Sequence, residues 1–268
     1  MPAEQTIKGL ARGLHVLEAL SGSSNSSLQD LHQATSISKP SLLRILNTLI
    51  RAGYVVRRAA DGRYRVSAFS GIGRRTDRHD KVVEATGPVF DRLCRKVLWP
   101  SDLLVPAGDH MERRETSQIQ SPFFPHPGRR DRVGQRVGWL MTGVGRAYLA
   151  FCSEQERTRI LQRLQRSDKA DDQLAKDAPR LDQILAATRR SGYGTRDPTF
   201  TGGPHGAPIN DRLAAIAVPL QGRRVYGSIN LLWIKTAFTV EDFAAQHLAD
   251  LQAAAREIVD TLERTHRI

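Results

Sequence analysis

Cysteine is scarce in this chain: Cys94 and Cys152 are the two in 268 residues. Two thiols exclude a disulfide framework and a cysteine-based zinc site, and the expectation is two small buried hydrophobes. Long apolar runs are missing as well. No stretch reaches the 18 or so apolar residues that a membrane-crossing helix needs. The opening MPAEQTIKGL has no charged-then-apolar leader. These absences lead to the expectation of a soluble, cytoplasmic protein with no membrane partner. Catalytic signatures are lacking too. There is no Gly-x-Ser-x-Gly elbow and no His-Glu-x-x-His, and none of the eight histidines pairs with a cysteine at metal spacing. No catalytic residue, metal or cofactor is expected. GVGRAY (Gly143–Tyr148) holds two glycines of a dinucleotide fingerprint, but Tyr148 stands where the third belongs and no acidic residue follows about 20 on.

What the chain has in excess is positive charge: 40 Lys and Arg against 28 Asp and Glu, a net of +12. Charge of that sign favours polyanions such as nucleic acid. It is unevenly spread. Residues 1–75 carry 11 basic and 4 acidic side chains, whereas the remaining 193 carry 29 and 24. The polyanion site is therefore expected in the N-terminal quarter.

That quarter has a readable pattern. Ile7, Leu10, Leu14, Leu17 and Leu20 recur at three- and four-residue steps, an amphipathic helix. SGSSNSS (Ser21–Ser27) breaks it, and Ser27 with Asp30 three residues on forms a capping pair for a second helix over Leu28–Ala34. Ser38 can cap a third helix with Pro40 in its first turn, and Gly53 ends it. The apolar set of this helix is Leu42, Leu43, Ile45, Leu46, Leu49 and Ile50. Its polar set is Lys39, Ser41, Arg44, Asn47, Thr48 and Arg51. Tyr54–Arg58 and Arg63–Val66 then read as strands around the hairpin signal Asp61-Gly62.

Three short helices and a basic hairpin make a winged helix-turn-helix. Its third helix fits the major groove of double-stranded DNA. Arg44 suits a guanine or a phosphate, and Ser41, Asn47 and Thr48 lie on the same polar side. Lys39 sits at the helix start, where backbone N–H groups favour phosphate. Arg57, Arg58, Arg63 and Arg65 bracket the wing and suit phosphates or the minor groove. The bland alternative is a solvated basic helix and hairpin of some other small domain.

Beyond a linker at SGIGRR (Ser70–Arg75) the pattern is mixed. Asp80–Val97 reads as a helix that Gly87-Pro88 interrupts, with Val82, Val83, Val89 and Phe90 as an apolar face for a homodimer partner or for its own domain. Leu103–Val105 and His110–Thr116 read as strands, and Ser121–Arg130 as irregular. Helices are expected over Thr142–Phe151, Ser153–Gln165 and Ala178–Ser191, the last stopped by Gly192. Leu213–Pro219 and Val225–Ile234 are strand-like, and Val240–Arg264 is a closing helix capped by Thr239.

The order of helix, HQATSISKPSLLRILNTLIRAGYVVRR, wing and larger mixed domain resembles the IclR family of bacterial transcription regulators. VGQRVGWLMTGVGRAYLAF (Val133–Phe151), RRSGYG (Arg189–Gly194), LAAIAVPL (Leu213–Leu220) and YGSINLLW (Tyr226–Trp233) fall in that family's order. VLWPSD (Val97–Asp102), RRET (Arg113–Thr116) and AYLAFCSEQER (Ala147–Arg157) are similar to the subgroup that activates catabolism of hydroxyphenylpropionate and related aromatic acids. Ser38-Lys39-Pro40 departs from the common Pro-Lys-Ser, and Gly-Arg-Ala (Gly145–Ala147) stands where Gly-Lys-Ala is common.

The resemblance implies an α+β chain. Residues 1–70 would be the DNA-binding head, 71–97 a linker and dimerisation helix, and 98–268 a GAF-like effector-binding domain. It implies an effector site of Arg129, Met141, Gly143, Val144, Asp197, Pro219, Asn230 and Leu232. Arg129 offers a bidentate fork for a carboxylate, and Asn230 shares a strand face with Ser228 and Leu232. The implied partners are operator DNA, a small aromatic acid, further copies of the chain as a homodimer or tetramer, and RNA polymerase if the protein is an activator. Two alternatives remain at this point, an enzyme with an active site in the C-terminal domain and a DNA-binding protein that needs no ligand.

Overall fold

Ser27 opens the second helix of the computed structural model through reciprocal hydrogen bonds. The Asp30 N–H donates to Ser27 Oγ at 3.1 Å, and the Ser27 N–H donates to Asp30 Oδ2 at 2.9 Å. The structure describes residues 7–23, 25–68, 70, 79–123, 133–200, 202 and 211–264. It divides into two compact units, Met1–Glu84 and Ala85–Ile268.

The first unit contains α1 (Lys8–Ser21), α2 (Leu28–Thr35) and α3 (Lys39–Arg51), then β1 (Val55–Arg57) and β2 (Tyr64–Val66). Val16, Leu17, Leu20, Leu31, Leu42, Leu46, Val55 and Tyr64 form its core. β1 and β2 pair antiparallel with Val56 opposite Arg65. Gly62, at φ +69°, turns the hairpin, and the Arg63 N–H donates to Asp61 Oδ1 at 3.0 Å. Ser26 adds a bridge to Tyr64, tying the wing to the start of α2.

Not every apolar residue of these helices enters the core. In α1, Ile7, Leu10 and Leu14 are 70%, 59% and 53% exposed, and the buried face is carried by Val16, Leu17 and Leu20. In α3, Leu43 is 41% exposed, because one 100° step from Leu42 takes it off the core-facing side.

α4 (Asp80–Val97) runs without a break through Gly87-Pro88, contrary to the expected interruption. Its apolar residues Val82, Val83, Val89 and Phe90 are all buried. The first five residues of α4 belong to the first unit and the rest to the second.

The second unit is built on one antiparallel sheet of six strands in the order β5-β4-β3-β8-β7-β6. The strands are β3 (Asp102–Ala107), β4 (His110–Thr116), β5 (Arg136–Val137), β6 (Gly194–Thr195), β7 (Leu213–Gln221) and β8 (Val225–Ile234). α5 (Gly143–Phe151), α6 (Glu154–Gln165) and α7 (Ala178–Ser191) are capped by Thr142, Ser153 and Asp177. α8 (Val240–Arg264) is capped by Thr239, whose Oγ1 accepts from the Asp242 N–H at 3.1 Å. The period-two pleat sorts β8 into two faces. Trp233 stacks on Phe243 of α8, with ring centroids 3.9 Å apart. Asn230 and Leu232 turn to the opposite side, the side on which Thr142, Gly143 and Val144 lie. The chain is thus α+β, a helix-turn-helix head followed by an antiparallel sheet domain with helices, as expected.

Candidate functional site

α3 displays its polar side chains because Leu42 and Leu46 anchor the other side with no exposed area. Lys39, Arg44, Asn47 and Thr48 are exposed and Ser41 is half-buried. Two hydroxyls are already engaged. Ser38 Oγ donates to Ser41 Oγ at 3.0 Å rather than capping the helix, and Thr48 Oγ1 donates to the Arg44 carbonyl at 2.9 Å. Lys39, Arg44 and Arg51 form no ion pair among the described residues, so their charge is available to a polyanion.

The four wing arginines differ. Arg57 is exposed; its Nε donates to the Gly62 carbonyl at 3.1 Å and its guanidinium lies over the Tyr64 ring. Arg63 meets Asp30 at 3.2 Å with both side chains about half exposed, a pair that a phosphate can replace at small cost. Arg58 is held by Asp61 at 3.1 Å with only 10% of its side chain exposed. Arg65 is buried and pairs with Asp80 at 3.2 Å and with Glu84 at 3.9 Å. Of the four wing arginines expected to meet DNA, Arg58 and Arg65 are thus held by the carboxylates of Asp61, Asp80 and Glu84, and Arg57 and Arg63 are the more exposed. Burial pushes the Glu84 carboxyl above its usual range, against hydrogen bonds from Ser67 Oγ and the Ala68 N–H and the Arg65 charge.

In the second unit a cavity of about 40 Å3 lies on the sheet face bearing Asn230. Gly143, Val144, Asn230 and Leu232, all expected at the effector site, line it together. Met141, Asp197 and Pro219 do not. Met141 is half-buried, and its backbone carbonyl accepts from the Asp197 N–H at 2.9 Å. Pro219 borders a separate groove with Phe151, Gly192 and Gln252. Asp197 serves the fold. Its carboxylate takes Arg146 Nη2 at 2.6 Å, while Arg146 also donates to the carbonyls of Leu140 at 2.7 Å and Thr195 at 3.3 Å. Three acceptors in that arrangement match a guanidinium fork, which gives a physical reason for arginine at position 146. Arg129 lies outside the described residues.

The cavity also gathers groups that sequence reasoning missed as site residues: Asp102, Arg113, Gln135, Thr142, Arg196 and Asp211. Arg113 and Asp102 pair at 2.9 Å with both side chains buried. Asp102 further accepts from Thr116 Oγ1 at 2.6 Å and from Gln118 Nε2 at 3.2 Å, and its own N–H donates to Asn230 Oδ1 at 2.8 Å. Arg113 Nη1 donates to Gln135 Oε1 at 2.8 Å, and its Nε is buried with no acceptor. Arg196 spends Nη1 on Asp211 at 2.9 Å and on the Leu213 carbonyl at 3.1 Å, with its guanidinium 5.4 Å from the Phe200 ring centre. The strand alternation that put Asn230 and Leu232 on one face applies equally to Asp102 and Leu104. Arg113 lies on β4 and Arg196 just past β6, and only the strand order of the folded sheet ties them to the same cavity.

The glycines of GVGRAY have a packing reason. A Cβ on Gly145 would run into the Trp139 carbonyl, and one on Gly143 would sit 2.8 Å from the Gly194 carbonyl. These positions let the start of α5 approach neighbouring backbone closely, and a phosphate cradle is not needed to explain them.

A winged helix-turn-helix followed by a sheet domain with a small polar cavity suits a protein that binds DNA with one unit and a small molecule with the other. Residues 9–59 match the IclR helix-turn-helix domain. The chain is 26% identical over 212 residues to the HTH-type transcriptional regulator BhcR of Paracoccus denitrificans, covering 76% of this chain and 73% of that one. It shares its fold with an IclR-family transcriptional regulator from Brucella abortus, at 19% identity and a TM-score of 0.51, over 96% of this chain and 93% of the other. An IclR homologue from Microbacterium hydrocarbonoxydans, crystallised with 4-hydroxybenzoate, matches at 18% identity and a TM-score of 0.50, over 96% and 99%. Residues 9–59 are thus a helix-turn-helix of the IclR type, and the chain as a whole is similar to transcriptional regulators that carry one.

Proposed function

We propose that the second unit senses a small aromatic carboxylic acid, and that binding of the acid changes the affinity of the head for its operator, which governs an aromatic catabolic operon. The observation that carries this reading is the cavity. Leu104, Val137, Val144, Phe200, Leu213 and Leu232 supply apolar wall, and Asn230, Arg113 and Arg196 supply a few placed donors. The 4-hydroxybenzoate in the Microbacterium relative supports the same ligand class. A cavity of about 40 Å3 holds a few waters at most, so an aromatic acid enters only when lining side chains move. That requirement supplies the two states a ligand-controlled regulator needs.

On this reading residues 1–70 bind double-stranded DNA, 71–97 connect, and 98–268 bind the acid. Lys39, Arg44, Asn47, Arg57 and Arg63 are the DNA contacts. The protein works as a homodimer or tetramer, as two heads on a pseudo-palindromic operator require, and meets RNA polymerase if it activates. Ile7, Leu10 and Leu14, exposed at and just before the start of α1, are one apolar stripe that a second copy can cover.

Calorimetry on the full chain with benzoate, 4-hydroxybenzoate and phenylpropionates tests the ligand class and the site. At least one acid is expected to bind. Arg196→Lys, which keeps the charge but loses the fork, and Asn230→Ala are each expected to weaken it about tenfold or more. An acid that binds is expected to change operator affinity about 5- to 150-fold in mobility-shift titrations. No binding across the panel sinks the ligand class. Binding indifferent to both substitutions sinks the site.

A further inference from the structure

Residues 39, 43, 47 and 51 fall four apart on α3 and form one row along its outer side. Its members are Lys39, Leu43, Asn47 and Arg51, all exposed. Three of them offer hydrogen-bond donors. The fourth, Leu43, is an apolar side chain 41% exposed among cationic and amide groups, one residue before Arg44. Single exposed leucines are ordinary on protein surfaces. This one stands in the part of a recognition helix that comes nearest the base edges. The fold does not need it there, since Leu42 and Leu46 fill the core with no exposed area.

The major groove presents one apolar group, the C5-methyl of thymine; guanine, cytosine and adenine show only donors and acceptors. With the Ser41 hydroxyl engaged by Ser38 and the Thr48 hydroxyl turned to the Arg44 carbonyl, the outer row reads with few side chains. We propose that Leu43 is a specificity residue that covers a thymine methyl in each operator half-site, while Arg44 and Asn47 supply the polar contacts beside it. Lys39 and Arg51, exposed around it and free of ion pairs among the described residues, bring the phosphates that seat the helix at that depth.

The test begins with sequences selected from random duplexes by the full-length protein. Each thymine of the selected site is then replaced singly by deoxyuridine, which removes only the methyl. Affinities are measured by mobility shift for the wild type and for Leu43→Ala. At one thymine per half-site the wild type is expected to lose about three- to fivefold, the worth of one buried methyl. Leu43→Ala is expected to bind the unmodified site more weakly by a similar factor and to be indifferent to that replacement. Alanine is favoured in helices, so its thermal unfolding should match the wild type and keep a folding defect out of the comparison. A wild type indifferent to every replacement overturns the proposal, as does a variant that responds to the same methyl as strongly as the wild type. Failure to select any sequence would overturn it along with the DNA contacts.

Discussion

Arg63, just before β2, and Arg65, within it, sit two residues apart in the wing, and their surroundings give them different work. Arg63 keeps an exposed, exchangeable partner in Asp30, whereas Arg65 is buried against Asp80 and Glu84. Arg63→Ala is expected to weaken all DNA sequences alike and to reduce the slope of affinity against salt by about one. Arg65→Ala is expected to leave that slope unchanged and to cost the head about 2–3 kcal/mol of stability, the buried-pair value discounted for the partial exposure of Asp80. Salt-dependent mobility shifts and denaturant unfolding separate the two. Asp197 makes a parallel case in the second unit. Burial alone would raise its carboxyl, but hydrogen bonds from Thr199 and the Arg146 guanidinium outweigh it and hold the folded value below the ordinary 3.8. Its contribution to stability is therefore complete above pH 3.8 and lost as pH falls through the lower folded value. Asp197→Asn strands a buried guanidinium and should cost about 3–5 kcal/mol at neutral pH. Denaturant unfolding from pH 7 to pH 2 should show the wild type losing more stability on acidification than this variant.

Among the elements, α1 shows where a hydrophobic pattern misleads. Its Leu10, Leu14 and Leu17 spacing marks a helix correctly, yet the stripe divides: Leu17 enters the core and Leu10 and Leu14 stay in solvent. Periodicity identifies an apolar face without saying what covers it. If a second copy covers this one, Leu10→Lys with Leu14→Lys should lower the mass seen by light scattering to that of the monomer while helix content holds. An unchanged oligomer would place the interface elsewhere. The helices and long strands were legible because their caps and stops are local: Ser27 with Asp30, Thr142, Ser153, Gly192 and Thr239 each act within a turn. β5 and β6, two residues each, were not, since they exist only through pairing with β4 and β7. Gly87-Pro88 misled in the other direction, because α4 continues through it. The cavity was legible by halves. Asn230 and Leu232 follow from alternation along one strand, whereas Arg113, Arg196 and Asp211 converge from three separate segments.

For the molecule as a whole, charge and chemistry are divided between the two units. The first carries half of the surplus positive charge on fewer than a third of the residues, and the second carries paired buried charges around its cavity. Affinity for DNA should therefore follow ionic strength closely, while acid binding, inside a shielded cavity, should follow it far less. The two cysteines extend this division to reactivity. Cys94 and Cys152 are 3% and 6% exposed, and burial raises both thiols, Cys152 to about 11 with Glu156 adding to the effect. At neutral pH almost none of either is thiolate, the form that attacks maleimides and iodoacetamide. The native chain is thus chemically quiet toward labelling reagents. A cysteine introduced at an exposed position in each unit, such as Glu18 and Glu154, would take a fluorophore pair without removal of the natural thiols. The distance between the dyes could then be followed directly as acid and operator are added.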